Sequence, residues 1–347
     1  MRQVNIGVIG TGGISGGHFK AYAKLPNVRL VGVADIVPER AKAAAEQWGA
    51  ERWFTDYNEL LALPGLDGVS ICTYNQAHRE PTVAALKAGV NVLLEKPMSA
   101  KLEDSVAMVR AARETGKILQ VGFWPRFGHE QQTARRIVQE GTLGEVYYAQ
   151  MIGGGRRRIP GGSFLKKATA GSGTIADIGC YDLDAFLFIM GHPKPLSVSA
   201  TVSYRLGRNL PNVPGDWGHN PADVEVEDFG SAFIRFEGGV VLHFVSYWAA
   251  HAATLGPSVI LGTKAGLQLR PQLTLFRDEF GVMTDVTPVH LPPIDGFTGE
   301  VTAFVKAIAE GKPSPVDPEG VLLIDVIVDG IYRSAAEGRE VKLEIPL

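Results

Sequence analysis

Val4-Asn5-Ile6-Gly7-Val8-Ile9-Gly10-Thr11-Gly12-Gly13-Ile14-Ser15-Gly16-Gly17 is the stretch whose reading decides the fold. Its first six residues form an apolar run long enough for a buried parallel strand. A turn of small residues follows, then a helix pattern through His18, Phe19, Ala21 and Tyr22. A second apolar run, Leu30-Val31-Gly32-Val33-Ala34, ends in Asp35. Strand, glycine turn, helix, strand and acid is the order of a dinucleotide site. Gly10 permits the tight turn, and Gly12 lets a pyrophosphate approach the backbone. Gly13 and Ile14 lead into the helix, whose N-terminal N–H groups and positive dipole end suit phosphates. Ser15 stands where the fingerprint has its third glycine, and it is small enough for close helix–strand packing. Asp35 would accept hydrogen bonds from the adenosine ribose and repel the 2′-phosphate of NADP. Ile36 offers no cation to receive that phosphate, so the expected cofactor is NAD rather than NADP.

The 347-residue length points to two domains, since single cores rarely grow past ~250–300 residues. A composition of 45% hydrophobic and 20% charged residues is that of a soluble globular protein. A net charge of −3 gives no electrostatic case for nucleic acid or an anionic membrane. No apolar run reaches the ~18–20 residues of a membrane span. Met1-Arg2-Gln3 leads directly into the first strand, so no signal peptide is expected. Cys72 and Cys180, the only cysteines, suit a reducing cytoplasm.

Helix patterns over Pro38–Trp48, Thr82–Lys87 and Leu102–Thr115 alternate with apolar runs at Gly68–Cys72, Val90–Leu94 and Ile118–Val121. That alternation predicts a doubly wound parallel sheet, the Rossmann arrangement. Ligands bind beyond the carboxyl ends of such strands. The glycine turn, Thr73-Tyr74-Asn75-Gln76-Ala77-His78 and Glu95-Lys96-Pro97 all fall there, and together they predict a site. Past Gly122 the rhythm changes. Helix patterns at His129–Glu140 and Asp182–Met190 accompany longer β-like runs at Val146–Met151, Leu196–Arg205, Val226–Phe236, Val240–Trp248 and Val259–Gly262. No helix separates the later runs, so the second sheet is expected to be mainly antiparallel. Two helix patterns, Glu300–Ala309 and Val321–Ala336, and a short strand near Val341–Ile345 end the chain. The expected domains are residues 1–122, binding NAD, and residues 123–347, an α/β domain.

The glycine turn, Asn75 with His78, Glu95-Lys96-Pro97 and Gly171-Ser172-Gly173-Thr174-Ile175-Ala176-Asp177-Ile178-Gly179 resemble the Gfo/Idh/MocA family (glucose–fructose oxidoreductase, inositol dehydrogenase, rhizopine catabolism) over essentially the whole chain. The resemblance implies an N-terminal Rossmann domain and a C-terminal α/β domain with a large open sheet. It also implies NAD(P)-dependent chemistry on sugars and polyols, and homodimers or homotetramers formed through that sheet. Lys96 matches the family's active-site lysine, and Asp177 the acid opening its second catalytic motif. Four residues later most members have histidine; here Tyr181 stands, as in a subset of the family. Whether Tyr181 or Lys96 is the principal acid/base is left open by that departure. Arg156-Arg157-Arg158-Ile159-Pro160-Gly161 resembles the arginine–proline loop by which some members approach the sugar, making Arg156 and Arg158 candidate substrate contacts alongside Lys96, Asp177 and Tyr181.

The chemistry follows without the family. Moving a hydride from a secondary alcohol to nicotinamide needs a group that takes the hydroxyl proton. Free Tyr and Lys both titrate near 10, and a neighbouring ammonium favours the phenolate. Asp177 could orient such a pair or act only as a helix N-cap. Thr73, Asn75, His78, Glu95, Lys96 and Arg126 complete the candidate cofactor contacts; Arg126 would close the site or serve interdomain packing. The loop Gly207–Asn220, with Trp217 and His219, is long enough to cover a site or reach a neighbouring subunit. His243 and His251 lack metal-ligand spacing, and there is no HExxH or cysteine cluster, so no catalytic metal is expected. The expected function is NAD-dependent oxidation or reduction of a sugar, polyol or glycoside hydroxyl. The alternatives are an NAD-dependent glycosidase working by transient oxidation and elimination, a glucose–fructose-type transhydrogenase, and a non-catalytic sugar- and nucleotide-sensing regulator.

Overall fold

The computed structural model describes residues 2–214, 216–292 and 295–347. The chain forms two compact units, Met1–Trp124 with Ile294–Leu322 and Leu347, and Pro125–Pro293 with Leu323–Pro346.

In the first unit the alternation read from the sequence gives β1 (Val4–Ile9), α1 (Ser15–Tyr22), β2 (Val28–Ala34), α2 (Pro38–Trp48), β3 (Trp53–Phe54), α3 (Tyr57–Leu61), β4 (Gly68–Ile71), α4 (Arg79–Lys87), β5 (Asn91–Leu94), α5 (Leu102–Thr115) and β6 (Leu119–Val121). The strands form one parallel sheet in the order β3-β2-β1-β4-β5-β6. The order reverses between β1 and β4, the switch point at which such sheets bind dinucleotides. Val4, Ile6 and Val8 are fully buried because both faces of a parallel sheet are covered. Phe19 of α1 stacks on Trp48 of α2 at 5.3 Å. A late helix, Gly296–Glu310, also belongs to this unit. It lays Val301, Phe304 and Ile308 into the cluster of Val4, Ile6 and Phe19. Residues 294–322 thus return to the first unit, which the expectation of one continuous domain over 123–347 did not include. Nothing local to an amphipathic helix names the sheet it will cover.

The second unit contains α6 (His129–Gln139), β7 (Val146–Gly154), α7 (Thr174–Asp177), α8 (Gly179–Met190), β8 (Pro195–Ser203), α9 (Arg205–Asn209), β9 (Phe229–Phe236), β10 (Val241–Tyr247), β11 (Ser258–Gly262), β12 (Ala265–Arg270), β13 (Thr274–Glu279) and β14 (Val282–Val286). The returning helix is α10 (Gly296–Glu310); α11 (Pro318–Glu337) starts in the first unit and ends in the second, and β15 (Val341–Lys342) closes the chain. The strands form a sheet in the order β14-β13-β12-β11-β7-β10-β9-β8-β15. Every neighbouring pair is antiparallel except β7 and β10, whose long connection through α8 permits parallel pairing. The strands β12, β13 and β14 lie beyond the runs read from the sequence. The side chains of β14 and the outer half of β13 are largely exposed, so no apolar alternation marks them, whereas β12 buries Ala265 and Leu267 in a run too short to stand out.

Along β9, Ala232, Ile234 and Phe236 are buried while Phe233 and Arg235 are exposed, the alternation of a sheet covered on one side. Phe186 of α8 meets Phe236 at 4.9 Å. On α8, Asp184 is 1% exposed and pairs with Arg126, itself 2% exposed, through Nε at 2.9 Å and Nη2 at 2.6 Å. The guanidinium also lies 5.2 Å from the Phe188 ring. Removing one partner of a buried ion pair costs about 3–5 kcal/mol, whereas replacing both by apolar groups can be nearly neutral. Asp184→Asn is therefore expected to lower unfolding stability by about 3–5 kcal/mol in urea titrations. The double variant Arg126→Met with Asp184→Leu should recover most of that loss. Equal stability of Asp184→Asn and parent would show that the pair does not hold this unit together.

Candidate active site

The carboxyl edge of the parallel sheet assembles the cofactor residues. Gly10 has φ +85, and a β-carbon there would lie 2.8 Å from the Cys72 carbonyl, so only glycine fits where β1 passes β4. At Gly12 and Gly13 a β-carbon would meet no atom within 4 Å, which leaves the open approach a pyrophosphate needs. No side chain caps α1, whose first residue, Ser15, ties its Oγ to Gly12 O at 2.6 Å. Its N-terminal N–H groups suit an anion. Asp35 Oδ2 accepts from Thr11 N at 2.8 Å and Thr11 Oγ1 at 2.9 Å, while Oδ1 accepts from Val37 N at 2.9 Å. The acid thereby fixes the glycine turn to the end of β2 and keeps lone pairs for a ribose. Ile14 and Ile36 are exposed beside it. These residues fit a dinucleotide with an unphosphorylated ribose.

Three of the expected cofactor contacts are placed elsewhere. His78 is fully buried, with Nδ1 3.0 Å from Pro97 O and 3.1 Å from Met98 O, and Nε2 3.3 Å from Thr73 O. Burial lowers its pKa despite these carbonyls. The enclosed imidazole braces the turn after Lys96. Glu95 also points inward: Oε1 lies 2.8 Å from His18 Nε2, and Oε2 accepts the Lys96 backbone N–H at 3.1 Å. It positions the lysine segment. Arg126 is engaged by Asp184 in an interior ion pair. Thr73 and Asn75 are half-buried; Thr73 Oγ1 donates to Ala77 O at 3.1 Å, fixing the turn that Asn75 opens. Lys96 is half-buried.

Sequence reading missed the groups behind Glu95. His18 Nδ1 pairs with Ser70 Oγ at 3.1 Å, and Tyr22 OH with the same oxygen at 2.7 Å. Glu300 of α10 is buried with no hydrogen-bond partner on either carboxyl oxygen. Burial, with the Glu95 charge beside it and His18 opposing, pushes its pKa up to about 8. Burial lowers the His18 pKa, but Cys72 and the Glu95 carboxylate outweigh it and raise the ring well above the ordinary value. Donor atoms of His18, Glu95 and Glu300 lie within 4.8 Å of one another, a spacing that no sequence motif announced. A protonated Glu300 beside a His18–Glu95 ion pair is charge-balanced without a cation.

In the second unit Asp177 closes α7, and Ile178 separates it from α8, which carries Tyr181. The two residues sit on successive helices. Asp177 Oδ2 accepts from Trp248 Nε1 at 3.1 Å. Glu227, 2% exposed, accepts from Gly173 N at 2.9 Å, Ile175 N at 3.1 Å and Tyr332 OH at 2.8 Å. Burial raises the Glu227 pKa against these donors. A β-carbon on Gly173 would lie 1.9 Å from Glu227 O, so glycine is required where α7 begins. The two adjacent acids Glu227-Asp228 inside an apolar run were the available hint. Of the arginine trio, Arg157 is bound to Asp216 at 3.0 Å, whereas Arg156 and Arg158 are exposed.

Residues 4–123 match the Gfo/Idh/MocA oxidoreductase family's NAD-binding Rossmann fold, and residues 131–268 match a Gfo/Idh/MocA C-terminal domain. The chain is 32% identical to scyllo-inositol 2-dehydrogenase (NAD(+)) of Bacillus subtilis (strain 168), covering 99% of this chain and 97% of that protein. The chain belongs to the Gfo/Idh/MocA oxidoreductase family. Another relative, D-glucoside 3-dehydrogenase of Escherichia coli (strain K12), is 30% identical over 98% of this chain and 97% of its own. Among solved structures, levoglucosan dehydrogenase in complex with NADH superimposes with a TM-score of 0.85 at 25% identity, covering 99% of this chain and 100% of that one. The Gfo/Idh/MocA Rossmann domain accounts for the open glycine cradle and its acid.

Glu300 gives the first unit a defined pH response. Its folded pKa lies above the ordinary carboxyl value, so the folded state binds the extra proton. Its contribution to stability is fully present below about pH 4.5 and is lost as pH rises to about 8, by on the order of a few kcal/mol. His18 titrates in the same direction. Glu300→Gln is therefore expected to flatten the fall in urea midpoint between about pH 6 and pH 9 without abolishing it. A parental slope in the variant would refute the assignment.

Proposed function

We propose that this oxidoreductase transfers a hydride between NAD and a hydroxyl-bearing carbon of a sugar, polyol or glycoside. The observation that carries the reading is the open cradle at Gly12 and Gly13, closed by Asp35, in a chain whose near-full-length relatives are named as dehydrogenases of a glucoside and an inositol. Bound NAD supplies the hydride acceptor at C4 of its nicotinamide. Residues 1–122 are assigned to NAD binding, and the bulk of 123–347 to substrate binding and oligomerisation.

Tyr181 is assigned the hydroxyl proton and Lys96 the substrate oxygen. Asp177, fixed by Trp248, orients that chemistry. Arg156 and Arg158 are exposed donors for sugar hydroxyls. Asp35 disfavours the NADP phosphate electrostatically, and the exposed neighbour Ile36 brings no compensating charge. The exposed apolar side chains Tyr147, Leu196, Phe233 and Phe276 on the second sheet support a homodimer or homotetramer formed there. Two free, buried cysteines are compatible with the cytoplasm, and no described helix is long and apolar enough to cross a membrane.

The test is a panel of sugars, inositols and glycosides incubated with NAD or NADP and followed by reduced-nucleotide absorbance. Turnover with NAD at higher kcat/KM than with NADP is expected. Glycoside cleavage without accumulating NADH would favour the redox-assisted glycosidase, and no turnover of any member would overturn the dehydrogenase reading. On an accepted substrate, Lys96→Met and Tyr181→Phe should each lower kcat by roughly two to four orders of magnitude with NAD affinity nearly unchanged. Tyr181→His should recover part of the activity, with its alkaline limb moved to lower pH because imidazole titrates near 6.5 and phenol near 10. Parental turnover by Tyr181→Phe across the pH range would remove its proton-transfer role.

A further inference from the structure

Trp217 is 62% exposed, although a buried tryptophan is a strong source of hydrophobic stability. Its backbone is nevertheless tightly held. Trp217 N donates to Ile159 O at 2.9 Å, and the residue bridges Pro160 in parallel register. The preceding Asp216, with a fully buried side chain, accepts from Ile159 N at 3.0 Å, Val213 N at 3.3 Å and Arg157 Nη2 at 3.0 Å. Beyond it, the buried His219 pairs through Nε2 with Gly207 O at 2.6 Å, and Asn212 Nδ2 donates to His219 O at 2.9 Å. A β-carbon on Gly161 would lie 2.4 Å from Trp217 O, so the two loop segments are in direct contact. Backbone and side-chain bonds thus hold the chain on both sides of the indole, which stays exposed. The loop presents the ring.

The ring is also connected to the catalytic helix within the same unit. The Arg158 guanidinium lies 5.7 Å from the Trp217 ring centroid. Arg158 N donates to Trp248 O at 2.9 Å, and Trp248 Nε1 donates to Asp177 Oδ2 at 3.1 Å. The loop bearing Arg158 and the indole is thus anchored to the tryptophan that fixes Asp177. An indole face accepts the C–H face of a pyranose or an aromatic ring, and a guanidinium offers up to five donors to the hydroxyl and bridging oxygens at its rim.

We propose that Trp217 and Arg158 form a subsite for the second ring of a glycoside, its aglycone or neighbouring sugar, making ring-bearing glycosides better substrates than the corresponding free sugars. This deepens the dehydrogenase reading and rests on it. The subsite contributes binding and not proton transfer, so its loss appears in KM.

The test uses the full-length enzyme with NAD and two matched pairs, glucose with p-nitrophenyl β-glucoside and glucose with cellobiose. NADH formation is measured for parent, Trp217→Ala, Trp217→Phe and Arg158→Gln. Trp217→Ala is expected to lower kcat/KM on the glycosides about tenfold more than on glucose, about 1.4 kcal/mol of selective binding, carried by KM. Trp217→Phe, which keeps an aromatic face, should restore most of that selectivity, and Arg158→Gln should lose part of it. An equal loss on glucose and glycosides would overturn the subsite. So would unchanged kinetics accompanied by a lower oligomeric mass in light scattering, which would make Trp217 a contact between copies of the chain. If the parent oxidises neither sugars nor glycosides, the dehydrogenase reading itself fails; if it oxidises them without a Trp217-dependent preference, only the subsite does.

Discussion

A carboxylate taken out of water must be given hydrogen-bond donors or lose its charge, and three buried glutamates meet that requirement differently. Glu227 receives backbone N–H groups from Gly173 and Ile175 and the hydroxyl of Tyr332. In doing so it fixes the first turn of the helix that ends in Asp177. Glu95 divides its oxygens between His18 and the backbone N–H of Lys96. Each of these acids spends a lone pair on the main chain of a segment that carries a proposed active-site residue, Asp177 or Lys96. Glu300 finds no donor and keeps its proton to about pH 8.

The same requirement explains the use of glycine at the site. Gly173 leaves room for the Glu227 backbone, and Gly10 for the carbonyl of Cys72, because main chains must pass where a methyl group would collide. Gly12 and Gly13 differ: no protein atom would collide there, and the space is left for a ligand. Gly10 and Gly173 therefore close the main chain around the site, while Gly12 and Gly13 keep the cofactor turn open. Asp35 serves both ends, bonding Thr11 and Val37 and retaining capacity for a ribose.

Much of this was legible where chemistry is local. The glycine turn, its helix and Asp35 are contiguous in sequence, and period-2 and period-3.6 patterns marked most of the parallel sheet. Lys96 was legible because it follows a buried strand at the ligand-binding edge. Residues whose roles depend on distant partners were not. His18 read as one more inward residue of an amphipathic helix, and its partner Glu95 lies 77 positions away. Glu300 sits on a helix that returns to the first unit from the far end of the chain. Sequence likewise cannot show the three carbonyls that close over the His78 imidazole. Arg126 read as a cofactor contact because Asp184 is 58 residues on. The strand β14 lies at one edge of the second sheet, where burial imposes no alternation.

The most direct test of the central claim follows the hydrogen itself. A sugar or glycoside accepted by the enzyme is supplied with deuterium on every carbon, together with unlabelled NAD, and the nucleotide product is weighed. Hydride transfer from a hydroxyl-bearing carbon predicts reduced NAD carrying one deuterium per oxidised sugar, formed more slowly than its unlabelled counterpart if chemistry limits turnover. Reduced NAD without deuterium, or sugar conversion with no label passing to the nucleotide at any stage, would contradict it.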